Sequence, residues 1–249
     1  MMTCLLRHRL RMALAAVIVF CVYGVTMLAT VQAQEGRVRK NAVSEERVAA
    51  SPFKTTSPGQ QSVYLYQHAL FLLQQSRVAE AQSALSQSLQ LTPAYEPARL
   101  VLAQLLLQAD KSQEALAILH DGLILMPRSL VLTMALARLQ WGGGEHQAAI
   151  VSLQSVVPEG VQSAEYHGLL AAMLQKSNRH AEAIEHYLSA LEFNPAFPVF
   201  LLGLAISLQA EQRWHDAALA YQSAIDTGVL PAEAVFFARE QREALGHFP

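Results

Sequence analysis

"AEAQSALSQSLQLTP" (79–93), "QEALAILHDGLILMP" (113–127) and "AEAIEHYLSALEFNP" (181–195) align without a gap. Pro93 and Pro127 lie 34 residues apart, and Pro195 lies a further 68 beyond. A fixed period of this length marks a chain built from repeated supersecondary units, each too small to bury its own apolar face. Extending the frame gives units at 62–95, 96–129, 130–163, 164–197 and 198–231.

The frame is checked by positions that did not define it. One small residue in each first helix reads Ala69, Ala103, Ala137, Ala171 and Ala205; one in each second helix reads Ala81, Ala115, Ala149, Ala183 and Ala217. Four residues after each of the latter stands Leu85, Leu119, Leu153, Tyr187 or Tyr221. Alanine lets two helices approach closely, and the bulky residue one turn later fills the space beside them. The proline ending the second helix redirects the chain. In the third unit proline comes early, at Pro158, so its second helix is expected to be short.

These residues resemble the tetratricopeptide (TPR) repeat family over 62–229, without insertions. The resemblance implies an all-α, right-handed superhelical solenoid of five helix-turn-helix repeats that binds proteins along the concave face of its first helices. The family's first-helix Trp is replaced here by Leu65, Arg99, Thr133, His167 and Leu201. After the last unit, "PAEAVFFAREQREALG" (231–246) reads as a capping helix within 232–249, with Val235, Phe236, Ala238 and Leu245 expected against the stack.

"WGGGEH" (141–146) resembles a phosphate cradle only until the frame places it. Gly144 aligns with Ser76, Asp110, Asn178 and Gln212, the turn between the two helices of each unit. No Gly-Lys-Ser/Thr follows, and the dinucleotide pattern would need glycine where Gln147 stands. The stretch is a turn.

The balance of the chain fits this reading. It is 52% hydrophobic, 7% aromatic and 15% charged over 249 residues, which suits Ala/Leu-rich helices. Net charge is −2; residues 1–61 hold 8 Lys+Arg and 3 Asp+Glu, leaving 10 and 17 in the rest. An acidic folded part lacks the footprint of a nucleic-acid binder. Both cysteines, Cys4 and Cys21, precede the repeats, so no thiol there can ligate zinc or attack a substrate. No HExxH, no G-x-S-x-G and no paired carboxylates are present, and the histidines show no metal-ligand spacing. We expect no catalytic residues, no metal and no cofactor.

Ahead of the repeats, the basic tail 1–11 carries Arg7, Arg9 and Arg11, and 12–31 is twenty residues without a charge. A helix of that length spans about 30 Å, the hydrocarbon thickness of a bilayer. The arginines would stay on the cytoplasmic side and send the remainder across. The run exceeds the core of a signal peptide, favouring a retained single-pass anchor; cleavage after Ala33 is the alternative. Residues 34–61 are polar and read as a flexible tether.

The TPR resemblance maps inward-facing groove positions onto Tyr66 and Leu70, then Leu100, Gln104 and Leu107, then Met134, Arg138 and Trp141, and finally Leu202 and Ile206. The Lys/Asn clamp of chaperone-tail binders is absent, so the groove is expected to take an amphipathic helix or an apolar extended segment of a protein. Arg138 and Trp141 are the side chains of the types that dominate interfaces. Residues 197–245 further resemble the C-terminal part of TPR proteins encoded with mannose-sensitive haemagglutinin (MSHA) pili, of the type IV pilus family. That resemblance implies a membrane-tethered scaffold for pilus biogenesis on the periplasmic side of the inner membrane. The alternative is a soluble periplasmic adaptor for cell-wall enzymes.

Overall fold

The computed structural model describes residues 57–156 and 163–246. The expected anchor, most of the tether and the early end of the third repeat at Pro158 lie outside them. The described residues are helical, with no strand among them, and divide into two compact units on either side of residue 160.

The first unit holds α1 (Pro58–Gln74), α2 (Val78–Leu91), α3 (Glu96–Gln108), α4 (Ser112–Leu125), α5 (Leu130–Gly142) and α6 (His146–Ser155). The second holds α7 (Ala164–Lys176), α8 (His180–Phe193), α9 (Pro198–Ala210), α10 (Trp214–Asp226) and α11 (Ala232–Leu245). Each repeat of the frame is one helix pair. As its sequence predicts, α6 is the shortest, at 10 residues. Helix α1 starts four residues ahead of the frame, because Ser57 and Gln60 cap each other's backbone N–H in a capping box before Pro58 can be unwound.

All ten frame alanines are buried, as are Leu85, Leu119, Leu153, Tyr187 and Tyr221. In the first unit Ala69, Ala81, Leu85, Ala103, Ala115 and Leu119 join Leu72, Leu102, Leu105, Leu106, Leu132 and Leu136 in one core. The helix pairs meet at the alanines because a larger side chain would hold the backbones apart.

The turn inside each repeat is the frame's clearest imprint on the backbone. Ser76, Asp110, Gly144, Asn178 and Gln212 all take left-handed φ, between 58° and 85°. At each, the next residue donates its N–H back across the turn, as Arg77 does to Leu72 O and Arg213 to Leu208 O, both at 2.9 Å. This is the Schellman ending of a helix, which glycine satisfies without strain. Four of the five positions carry a side chain there at a cost of about 1–2 kcal/mol each. Gln212→Gly is therefore expected to raise stability by about 0.5–1 kcal/mol after glycine's own entropy cost, measured as a higher urea midpoint.

In four of the five pairs the second helix opens on an ion pair three residues apart: Arg77–Glu80, Lys111–Glu114, Arg179–Glu182 and Arg213–Asp216. These are largely exposed and worth little individually. The third repeat has Glu145 and Ala148 in those places.

The capping helix exists, and of its expected contacts Ala238 and Leu245 are buried and Val235 half-buried, whereas Phe236 is not. Ala234, Ala238, Gln241 and Leu245 are buried, and Phe237 meets Tyr221 edge-on at 6.1 Å. Phe236 is 70% exposed. Two residues from Ala234 is a turn of about 200°, which puts Phe236 on the far side of α11.

Candidate functional site

Residues four and three apart share a helix face. Tyr66 and Leu70 on α1, Leu100, Gln104 and Leu107 on α3, and Met134, Arg138 and Trp141 on α5 each obey that spacing. Helix α3 also packs directly on α5, so their faces adjoin.

The side chains are not equally available. Gln104 and Leu107 are exposed, and Tyr66, Leu70, Leu100 and Arg138 are half-buried. Tyr66 stands edge-on to Tyr95 at 5.6 Å, and both pack against the core. Burial, and secondarily Tyr95, raises the Tyr66 hydroxyl's pKa, so it remains a neutral donor and acceptor at physiological pH. Met134 is buried, and Trp141, 7% exposed, lies against the His146 ring at 4.3 Å. The Trp thus packs against the first residue of α6, just past the glycine turn. The available part of the first unit's face is apolar with two polar groups, Gln104 and Arg138.

In the second unit Leu202 and Ile206 share a face of α9, and both are buried. That helix is apolar on every side, with every residue from Val199 to Gln209 buried. A helix apolar all round belongs to an interior.

Two buried constellations escape a reading by motif. The first is a polar chain through the second unit. The Tyr187 hydroxyl donates to Gln175 Oε1 at 3.2 Å, and Gln175 Nε2 donates to Gly203 O and Ser207 Oγ at 2.7 and 2.8 Å. One repeat on, Tyr221 donates to Gln209 Oε1 at 2.7 Å, and Gln209 Nε2 donates to Gln241 Oε1 at 2.9 Å. The 34-residue frame holds the signal, since Gln175/Gln209 and Tyr187/Tyr221 are the same positions. Each of these amides is satisfied by neighbours in the protein, which leaves it structural rather than catalytic.

The second is His167 on α7 facing His186 on α8, Nδ1 to Nδ1 at 3.1 Å with ring centroids 5.3 Å apart. The centroid separation exceeds the nitrogen separation by roughly two ring radii, so the rings meet head-on. That is the geometry of one N–H donating to a bare ring nitrogen, not of two lone pairs converging on a metal. Among the described residues no group of three His, Cys, Asp or Glu could hold a metal ion.

The pair has a pH consequence. Burial first, and His167 second, hold the His186 pKa below the usual histidine value, against Glu185 and Glu182. Burial does the same to His180, opposed by Glu211. The unfolded chain then takes up protons more readily than the folded one, so stability holds above about pH 6.5 and falls as pH drops below it. A urea midpoint lower at pH 5 than at pH 7.5 is expected. His186→Phe should shrink that difference.

Fold and surface together define a helical-repeat protein whose first unit carries an accessible, largely apolar first-helix face. A tetratricopeptide-repeat family model matches residues 72–129 and 111–173. No curated protein sequence matches the chain. Among solved structures, the chain is similar to PilF of Pseudomonas aeruginosa, with TM-score 0.62 and 18% identity over 76% of this chain and 90% of that one. PilW, described as a widely conserved type IV pilus biogenesis factor, gives 0.62 and 18% over 76% and 88%. A MamA protein gives 0.58 and 18% over 68% and 92%. The helix-pair fold of each unit is the one these solved structures share.

Proposed function

We propose that the chain is a non-catalytic, membrane-tethered scaffold that holds a protein partner for assembly of a bacterial cell-envelope structure, a type IV pilus of the MSHA kind. The observation that carries the scaffold reading is the apolar face of α3, where Leu100 and Leu107 flank Gln104, with Tyr66 of α1 packed against the same core as Leu100. An amphipathic helix or extended apolar segment would bury those side chains and find a hydrogen-bond partner in the glutamine. Arg138 at the edge of α5 would orient an acidic or polar residue of the partner. Trp141 and Met134 would support the face from beneath.

The pilus reading is supported by the sequence of 197–245 and by the fold shared with PilF and PilW. The localisation follows from 12–31 as an inner-membrane anchor, with Arg7, Arg9 and Arg11 inside and the repeats in the periplasm. A tether of this length keeps the scaffold within roughly 25–30 Å of the bilayer on average.

Photo-crosslinking from Tyr66 and Leu107 in intact membranes, with mass spectrometry of the captured proteins, tests the reading. Capture of pilus-assembly components supports it. Capture of wall-synthesis enzymes favours the periplasmic adaptor, for which Val31-Gln32-Ala33 provides the cleavage signal and which N-terminal sequencing would reveal. Capture from the exposed Ile124 but not from Tyr66 or Leu107 would move the site off this face.

A further inference from the structure

Each repeat serves as a control for the others, and the loop that leaves the second repeat departs from the pattern. Near the end of the second helix the first, fourth and fifth repeats carry Gln90, Glu192 and Asp226, whereas the second carries Ile124. Four residues on, Ala94 and Ala196 of the first and fourth repeats are matched by Arg128. Ile124 is 76% exposed and Leu125 50%, and Val131, just past the turn, is 48% exposed. A side chain three-quarters exposed buries little apolar area, so the fold does not call for isoleucine there. The turn itself is fixed. Ser129 donates its N–H to Met126 O at 3.0 Å and its hydroxyl to Glu96 Oε1 at 3.2 Å, and its Oγ accepts the Leu132 N–H at 3.1 Å. Arg128 is exposed and makes no hydrogen bond or ion pair among the described residues.

The place of this loop in the first unit decides what it meets. Consecutive helices there pack on each other across loops of three or four residues, and so run antiparallel. The α2–α3 and α4–α5 turns therefore share one rim with the start of α1, where residues 1–56 run into Ser57. The opposite rim carries the turns at Ser76 and Asp110 and the ion pairs Arg77–Glu80 and Lys111–Glu114. The rim at which the preceding chain enters is thus the apolar one, exposing Leu91, Ile124, Leu125 and Val131 beside the Arg128 cation.

We propose that the α4–α5 turn is a second membrane contact, in which Ile124 and Leu125 enter the boundary between head groups and acyl chains and Arg128 pairs with lipid phosphate. This rests on the tethered reading above, which brings the bilayer to this rim. An exposed apolar tip beside an unpaired cation is the chemistry that boundary accepts, and anionic lipids strengthen the attraction. A fluid bilayer also needs no matching concavity to receive a protruding turn. The contact stands the helices of the first unit up from the membrane, so that the α3 face around Gln104 stays open to a partner alongside.

The test uses the full chain in vesicles of phosphatidylethanolamine and phosphatidylglycerol, with Cys4 and Cys21 replaced by alanine so that any introduced thiol is the only one. A fluorescent dye is attached at Ile124→Cys or, as the control, at Gln113→Cys, exposed at the other end of α4. Nitroxide-bearing lipid is expected to quench the dye at 124 several-fold more than the dye at 113. Arg128→Glu, or vesicles of phosphatidylcholine alone, should reduce that difference. Equal quenching at the two sites overturns the proposal, as does a difference that neither change reduces. So does a photo-crosslinker at Ile124 that captures a protein rather than lipid in native membranes, which would make that protein the occupant. Flotation of the same vesicles reads the anchor separately. A chain that floats but is quenched equally at both sites keeps the anchor and loses the contact; a chain that does not float loses the anchor and the proposal with it.

Discussion

Gly203→Ala is expected to destabilise the second unit by about 2–3 kcal/mol, far more than a methyl group on an ordinary helix. Alanine normally stabilises a helix interior relative to glycine, by about 1 kcal/mol. Here the sign reverses because an added Cβ would overlap the Tyr187 ring and hydroxyl. Tyr187 is fully buried and its hydroxyl is bonded to Gln175, so the ring has nowhere to swing. Displacing it breaks that bond, and Gln175 also loses its fixed position under Gly203 O and Ser207. The equivalent residue one repeat later is Phe237, which Tyr221 meets edge-on instead. Urea denaturation followed by circular dichroism would measure the loss; a midpoint at or above the parent's would refute the overlap.

The second large effect is expected at Tyr221. Tyr221→Ala removes a fully buried ring between α9, α10 and α11 and should cost about 3–5 kcal/mol. Tyr221→Phe keeps the ring and deletes one donor, leaving Gln209 Oε1 short of its 2.7 Å partner. That substitution should cost about 1–2 kcal/mol. The difference between the two variants separates packing from hydrogen bonding. Burial drives the Tyr221 pKa far above the ordinary phenol value, so the donor stays protonated throughout the accessible pH range. The cost of Tyr221→Phe should therefore be the same at pH 6 and pH 9.

The repeat frame was legible in the sequence because it rests on steric requirements that recur. Ten buried alanines and five left-handed turns sit where spacing alone placed them. Two features were hidden for a different reason: they depend on pairs far apart in sequence. Gly122 is helical and unremarkable until Arg99, a buried guanidinium donating to Ile118 O and Pro93 O, passes through the space a Cβ would take. His167 and His186 look isolated until the same nineteen-residue step that links Arg99 to Ile118 is applied to them. The groove positions were legible as helix faces only. Spacing aligns Met134 and Trp141 with Tyr66 and Leu100, but their burial depends on what packs beside them, and a single helix does not contain that information.

The polar chain of the second unit has a consequence for how the gene could be rearranged. Repeats of equal length with equal turns are natural units for duplication and shuffling. In the first unit the positions of Gln175 and Tyr187 are held by Leu73, Leu107 and Trp141, and by Leu85, Leu119 and Leu153. A leucine-bearing repeat moved between 164–197 and 198–231 would bring apolar atoms against an amide that needs a partner. The order of the last two repeats and their cap is thus written into the interior as an address, and recombination can exchange modules freely only upstream of it.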